Sequence, residues 1–209
     1  MSNTKGLFIV FEGIDGSGKT TQINLLKKHF EDCTQKCFET REPSDGPVGS
    51  LIRQFLSGRM KADERTLAAL FAADRLDHIF NETTGLKPKL DNGINVISDR
   101  YILSTYAYQS VRVPLDWVMQ LNSVASEELK PDCHIFIDVE PEITLKRMAE
   151  GRFHSDLFEN KQRLTEVRSR YLELIAKLKE KENIIIIDGN QSIQKISDDI
   201  WNEVKTLLL

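Results

Sequence analysis

An α/β fold, a parallel sheet covered by helices on both faces, is what this sequence predicts. Three observations predict it. Short runs of strand length alternate with longer stretches of helical period. The first run is continuously apolar rather than alternating, as in strands buried on both faces. That run also leads straight into a glycine-rich turn that opens a helix.

Taken in order, residues 7–11 are the first strand and 19–30 the helix behind it. Residues 36–40 are a weaker strand, followed by helices over 48–56 and 65–82. A strand at 95–98 precedes a helix at 115–128. The strand at 134–138 leads into helices over 142–150 and 159–180, and the strand at 183–188 into a last helix over 192–208. Strand, helix, strand in repeated order means a parallel sheet, with ligands beyond the carboxyl ends of its strands. No repeat, low-complexity tract or linker interrupts the pattern, so 1–209 is expected to be one domain. Residues 151–156 break two helical stretches and form the expected mobile part of a lid over about 147–158.

Composition bounds the function. Lys and Arg number 28 against 32 Asp and Glu, a net charge of −4. That mild acidity argues against a nucleic-acid binder, which would carry a basic face. The longest apolar runs, 8–11 and 184–187, are far too short to span a bilayer, and the N-terminal residues show no secretory pattern. Cys33, Cys37 and Cys133 make an odd count with no second pair at zinc spacing, which reads as free thiols in a reducing compartment. A soluble, cytoplasmic protein is expected.

Gly13-Ile14-Asp15-Gly16-Ser17-Gly18-Lys19-Thr20, with Thr21 following, fits the G-x-x-x-x-G-K-[ST] pattern of a P-loop. Glycines let backbone N–H groups turn inward around phosphate oxygens, where a Cβ would obstruct. The helix behind adds its unsatisfied N–H groups and positive dipole end. Lys19 supplies charge at the β and γ phosphates, and Thr20 offers a hydroxyl to Mg²⁺. ATP and Mg²⁺ are therefore the expected ligands. A GTPase would add Asp-x-x-Gly and Asn-Lys-x-Asp motifs, which do not occur where they should, and a motor ATPase needs a longer chain. A small-molecule kinase remains.

Phe11-Glu12-Gly13-Ile14-Asp15, Arg41-Glu42-Pro43, Phe71-Ala72-Ala73-Asp74-Arg75, Ser98-Asp99-Arg100-Tyr101 and Ala107-Tyr108-Gln109 stand in that order. Together with Lys130-Pro131-Asp132, these blocks resemble the thymidylate kinases from the first strand to the final helix. The resemblance implies a five-stranded parallel core of the P-loop nucleoside monophosphate kinase type and a homodimer. It also implies transfer of phosphate from ATP to dTMP, giving dTDP on the way to dTTP. Phe71 would then stack on thymine and Arg75 donate to a thymine carbonyl. Ser104, Thr105 and Gln109 would line the base pocket, and Tyr108 would pack against the sugar. Asp15 would accept from the 3′-hydroxyl. Arg100 would bridge the acceptor phosphate, with Arg41, Glu42 and Arg53 flanking it. Asp99, with help from Glu42, would sit near Mg²⁺.

Two departures stand out. Pro43 is followed by Ser44-Asp45-Gly46-Pro47 where many relatives have Gly-Gly-Thr. The lid holds Leu157 where relatives without a P-loop arginine carry a catalytic arginine, so Arg152, or else Arg147, would have to substitute. Lys19, Arg100, Asp15 and Arg152 are thus the expected catalytic set.

Overall fold

In the computed structural model, which describes residues 5–149 and 157–208, five parallel strands form a single sheet. They are β1 (Phe8–Glu12), β2 (Cys37–Arg41), β3 (Asn95–Asp99), β4 (Cys133–Asp138) and β5 (Ile184–Asp188). The spatial order is β2-β3-β1-β4-β5, so β1 lies in the middle between two strands reached in opposite directions. That reversal opens the crevice in which such sheets bind ligands. All five predicted strands are present within a residue or two at each end.

The alternation of β1 explains the layering. Phe8 and Val10 join one buried cluster, under the helices α3 (Glu64–Phe80), α4 (Leu86–Asp91), α5 (Ile102–Gln109) and α9 (Leu157–Leu178). Ile9 and Phe11 face the other cluster, under α1 (Lys19–Asp32) and α10 (Ile193–Val204). Each strand stops being apolar at the same edge of the sheet. Glu12, Arg41, Asp99, Asp138 and Asp188 are the last residues of the five strands, a row of charge where the core ends.

Between β2 and α3 lies α2 (Pro47–Leu56), which opens on a proline whose missing N–H costs the helix nothing there. Asp63 caps α3 by accepting from the Arg65 backbone N–H. The helix expected over 115–128 is two helices, α6 (Leu115–Leu121) and α7 (Ser123–Glu128). The break falls at Asn122, whose buried amide donates to the Val118 carbonyl and accepts from Arg75 rather than facing solvent. Two helices were not anticipated. α4 is only six residues long. α5 is buried nearly all round and shows no polar stripe for a period to reveal. Helix α8 (Pro141–Ala149) follows β4, and α10 runs into a final 3₁₀ turn, Lys205–Leu208.

Candidate active site

The turn between β1 and α1 is held in its shape by glycine. Gly13 has φ 143°, and a Cβ there would come within 2.8 Å of the Ile137 carbonyl oxygen. Gly18, the residue before α1, has φ 98° with open space around it, so backbone conformation rather than crowding selects glycine there. No side chain caps α1, which leaves the N–H groups of its first turn to a ligand. Lys19 Nζ donates to the carbonyls of Gly13 and Ile14, both at 3.2 Å, and lies 4.0 Å from Asp99 Oδ1. Burial, with Arg100 adding repulsion, lowers its pKa to about 8 against the pull of Asp99, Asp15 and Glu12. Thr20 and Thr21 are exposed on that first turn. Among the described residues, the buried Asp99 Oδ1 and the buried Ser17 hydroxyl have no hydrogen-bond partner. Oxygen donors of this kind, a hydroxyl and one carboxylate, fit a Mg²⁺ that takes its remaining ligands from phosphate and water. Among the described residues, no cluster of three His, Cys, Asp or Glu could hold a metal alone.

Beside this turn opens a cleft of about 540 Å³. Phe71 of α3 lines it, half-buried, and Ser104, Thr105, Tyr108 and Gln109 of α5 line it from the opposite helix. Asp15, Glu42, Arg75 and Arg100 complete the group of expected residues brought together here. Arg41 and Arg53 do not line it. Arg41 is exposed and pairs with Asp45 at 2.7 Å, and Arg53 donates to the Pro43 and Ser44 carbonyls, bracing that loop onto α2.

Two guanidinium groups organise the cleft. Arg75 is wholly buried and gives Nε and Nη2 to Glu42 Oε2 at 3.0 and 2.6 Å, Nη2 to Thr105 Oγ1 at 2.7 Å, and Nη1 to Asn122. Of five N–H donors only one Nη1 hydrogen is left for a ligand. Asp74 does not pair with it but receives the Ser44 N–H and hydroxyl at 2.7 and 2.6 Å. Glu42, expected to assist Mg²⁺, binds two protein side chains. Its second oxygen lies 3.2 Å from His78 Nδ1, so both oxygens are committed to protein partners. Burial opposes the charge of Glu42, but Arg75 and His78 outweigh it and hold the carboxyl below its ordinary range.

Arg100 has φ 74°, a left-handed backbone that a non-glycine residue adopts at a cost and that clusters at functional sites. From there Nη1 reaches the Gly13 carbonyl at 3.1 Å, Ser104 Oγ at 3.0 Å and Tyr171 Oη at 3.3 Å. Nη2 reaches Asp15 Oδ1 at 2.7 Å and Tyr108 Oη at 3.1 Å. Its carbon lies 4.8 Å from the centre of the Tyr108 ring. Burial works against the charge, yet Tyr108, Tyr171, Asp15 and Asp99 hold it well above the ordinary arginine value. In turn Arg100 and Lys19 outweigh desolvation and lower the Asp15 carboxyl.

Sequence reasoning missed three contributors. Glu12 and Tyr171 lie behind Arg100, and Asn122 lies behind Arg75. A carboxylate closing an otherwise apolar buried strand was the one available signal for Glu12. Arg147, a possible lid cation, donates to the Ser17 and Gly189 carbonyls at 3.4 and 2.9 Å and so fastens α8 to the phosphate-binding turn. Arg152 and Leu157 side chains, with the lid centre at 151–156, lie outside the described residues.

A glycine turn built for a polyphosphate, opening beside an arginine-centred cleft at the switch point of a parallel sheet, defines a P-loop phosphotransferase. The comparisons make this specific. The thymidylate kinase family model matches residues 11–200. A probable thymidylate kinase of Methanocaldococcus jannaschii is 41% identical over 203 residues, covering 96% of this chain and 97% of the relative. The thymidylate kinase of Sulfurihydrogenibium sp. is 38% identical, covering 96% and 97%, and that of Caldicellulosiruptor saccharolyticus is 38% identical, covering 94% and 98%. The chain belongs to the thymidylate kinase family, which makes it a nucleoside monophosphate kinase.

Proposed function

We propose that this chain transfers the γ-phosphoryl group of ATP to dTMP, releasing ADP and dTDP. An oxygen of the dTMP phosphate attacks the γ-phosphorus as the bond to the β–γ bridging oxygen breaks, and ADP leaves with that electron pair. The attacking group is already an anion, so positioning and charge neutralisation carry the reaction with little need for a base.

One observation supports this reading above the others. Arg100 binds the phosphate-turn residues Gly13 and Asp15 with the same guanidinium that binds Ser104 and Tyr108 of the cleft. A planar fork at that junction suits a phosphate that must meet a second phosphate. On this reading residues 13–21 cradle the triphosphate and Lys19 neutralises it. Thr20 and Asp99 would hold Mg²⁺, which when bound neutralises charge on the phosphates. Phe71 stacks on thymine, with Thr105, Gln109 and the remaining Arg75 donor at the base edge. Tyr108 packs against the sugar, and Asp15 takes the 3′-hydroxyl. Arg152 serves as the lid cation.

The reading extends to a homodimer in the cytoplasm, acting on nucleotides and on neither nucleic acid nor membrane. Cys33, Cys37 and Cys133 are free thiols, which suits a reducing compartment. Among the described residues no helix is long and apolar enough to cross a membrane. An acceptor panel tests the core claim. With ATP and Mg²⁺, purified protein turns over dTMP faster than dCMP, dGMP or thymidine, and a preference for any of these overturns the assignment.

A further inference from the structure

Behind Arg100, on the side away from the cleft, sits a carboxylate that the reaction scheme does not use. Glu12 is fully buried at the end of β1. Its Oε1 accepts from the backbone N–H groups of Tyr101 and Ser104 at 3.1 and 3.3 Å. Its Oε2 accepts from Ser104 Oγ at 2.5 Å and from Tyr171 Oη at 2.8 Å. Those same two hydroxyl oxygens accept from Arg100 Nη1.

The directions of these bonds matter. Ser104 Oγ and Tyr171 Oη also lie 2.5 Å from each other, so the two hydroxyls and Glu12 Oε2 form one closed network, and the guanidinium, which has no acceptor, takes none of its hydrogens. Their lone pairs then point at Arg100. Glu12 therefore acts on the guanidinium from one hydroxyl away. It fixes the orientation of two acceptors without making a direct ion pair that would neutralise the arginine. Its bonds to the first N–H groups of the Arg100–Ser104 turn hold the same residue from the backbone side, where φ is 74°. Tyr171 adds a long reach. It belongs to α9, is itself fully buried, and packs on Phe136 with ring centres 5.1 Å apart.

We propose that Glu12 and Tyr171 are positioning residues that orient Arg100 toward the acceptor phosphate, Glu12 through the Ser104 and Tyr171 hydroxyls and Tyr171 as the link to α9. This rests on the reading of Arg100 as the group that engages that phosphate. Glutamine at position 12 keeps the shape but breaks the logic. Its amide either donates to both hydroxyls, which can pass only one hydrogen between themselves and so leave the other facing Arg100, or faces two backbone N–H groups that need an acceptor. Phenylalanine at position 171 removes one oxygen and leaves the packing.

Steady-state kinetics test the idea. Tyr171→Phe is expected to lower kcat/KM for dTMP about 10-fold and Glu12→Gln about 100-fold, the scale of a misplaced reacting group, with KM for ATP unchanged. In an Arg100→Met background, Tyr171→Phe should add less than a 2-fold further loss, because the group it positions is gone. Wild-type kinetics in both single variants, or a full 10-fold loss repeated in the Arg100→Met background, overturns the proposal. Should Glu12→Gln fail to fold, Tyr171→Phe decides alone. If the wild type prefers another acceptor, the functional reading has failed instead, and the same variants are measured on that acceptor.

Discussion

Arg75, wholly buried, and Arg100, partly buried, line one cleft, and they are held in opposite ways. Arg75 lies against a buried carboxylate, Glu42, with an amide and a hydroxyl taking nearly all its other donors. Arg100 meets three hydroxyls, a carbonyl and the exposed Asp15, while the buried Glu12 stays one hydroxyl away. A charge neutralised in the interior becomes scaffolding. One whose single carboxylate partner is exposed stays available to an anion that can take that partner's place. His134 is a third solution, a buried ring whose Nδ1 has no hydrogen-bond partner among the described residues, and burial lowers its pKa to about 4 so that it stays uncharged.

Each arginine can be removed to break or sharpen this contrast. The largest effect is expected at Arg100→Met. It should lower kcat/KM for dTMP about 10³-fold, the scale for losing a positioned charge donor, with little change in a urea midpoint. Arg75→Met should act mainly on stability, with a smaller loss in kcat/KM from the one donor it offers the base. It strands Glu42 in the interior at a cost of about 3–5 kcal/mol in unfolding free energy, and adding Glu42→Gln should recover part of that loss. Equal stability losses in the two arginine variants would erase the distinction.

His134 gives the next largest effect, and the sign follows from proton counting. Between the unfolded value near 6.5 and the folded value of about 4, the unfolded chain binds the extra proton. Stability should therefore fall on acidification across that window by about 3 kcal/mol. In His134→Gln the fall over the same range should shrink by that amount in urea titrations. The smallest effect belongs to Thr105→Val, which removes one neutral acceptor from Arg75 and should cost about 1 kcal/mol.

The same contrast explains what could be read in the sequence. The phosphate turn is a local motif whose spacing is its geometry, and the strands announce themselves as apolar runs, so both were legible. Phe71, Arg100 and Tyr108 could be assigned through blocks of neighbouring residues, and the structure gathers them into one cleft. The networks that hold the arginines could not. Arg75 meets Glu42 across 33 positions and Asn122 across 47, and Tyr171 meets Glu12 across 159. No periodicity or spacing encodes such pairings. For that reason the pairing of Glu42 with Arg75 on α3 could not be read in the sequence. The helix break at Asn122 has the same origin, since the residue bends the chain to serve a distant arginine.

The lowered pKa of Lys19 carries a thermodynamic signature of its own. With a value of about 8, the ammonium is only partly protonated in mildly alkaline solution. A triphosphate drawing that charge to itself must first complete it, so donor binding at pH 8 takes up a fraction of a proton from the buffer. Titration calorimetry at pH 8 in Tris and in phosphate, whose ionisation heats differ, should then give different apparent binding enthalpies.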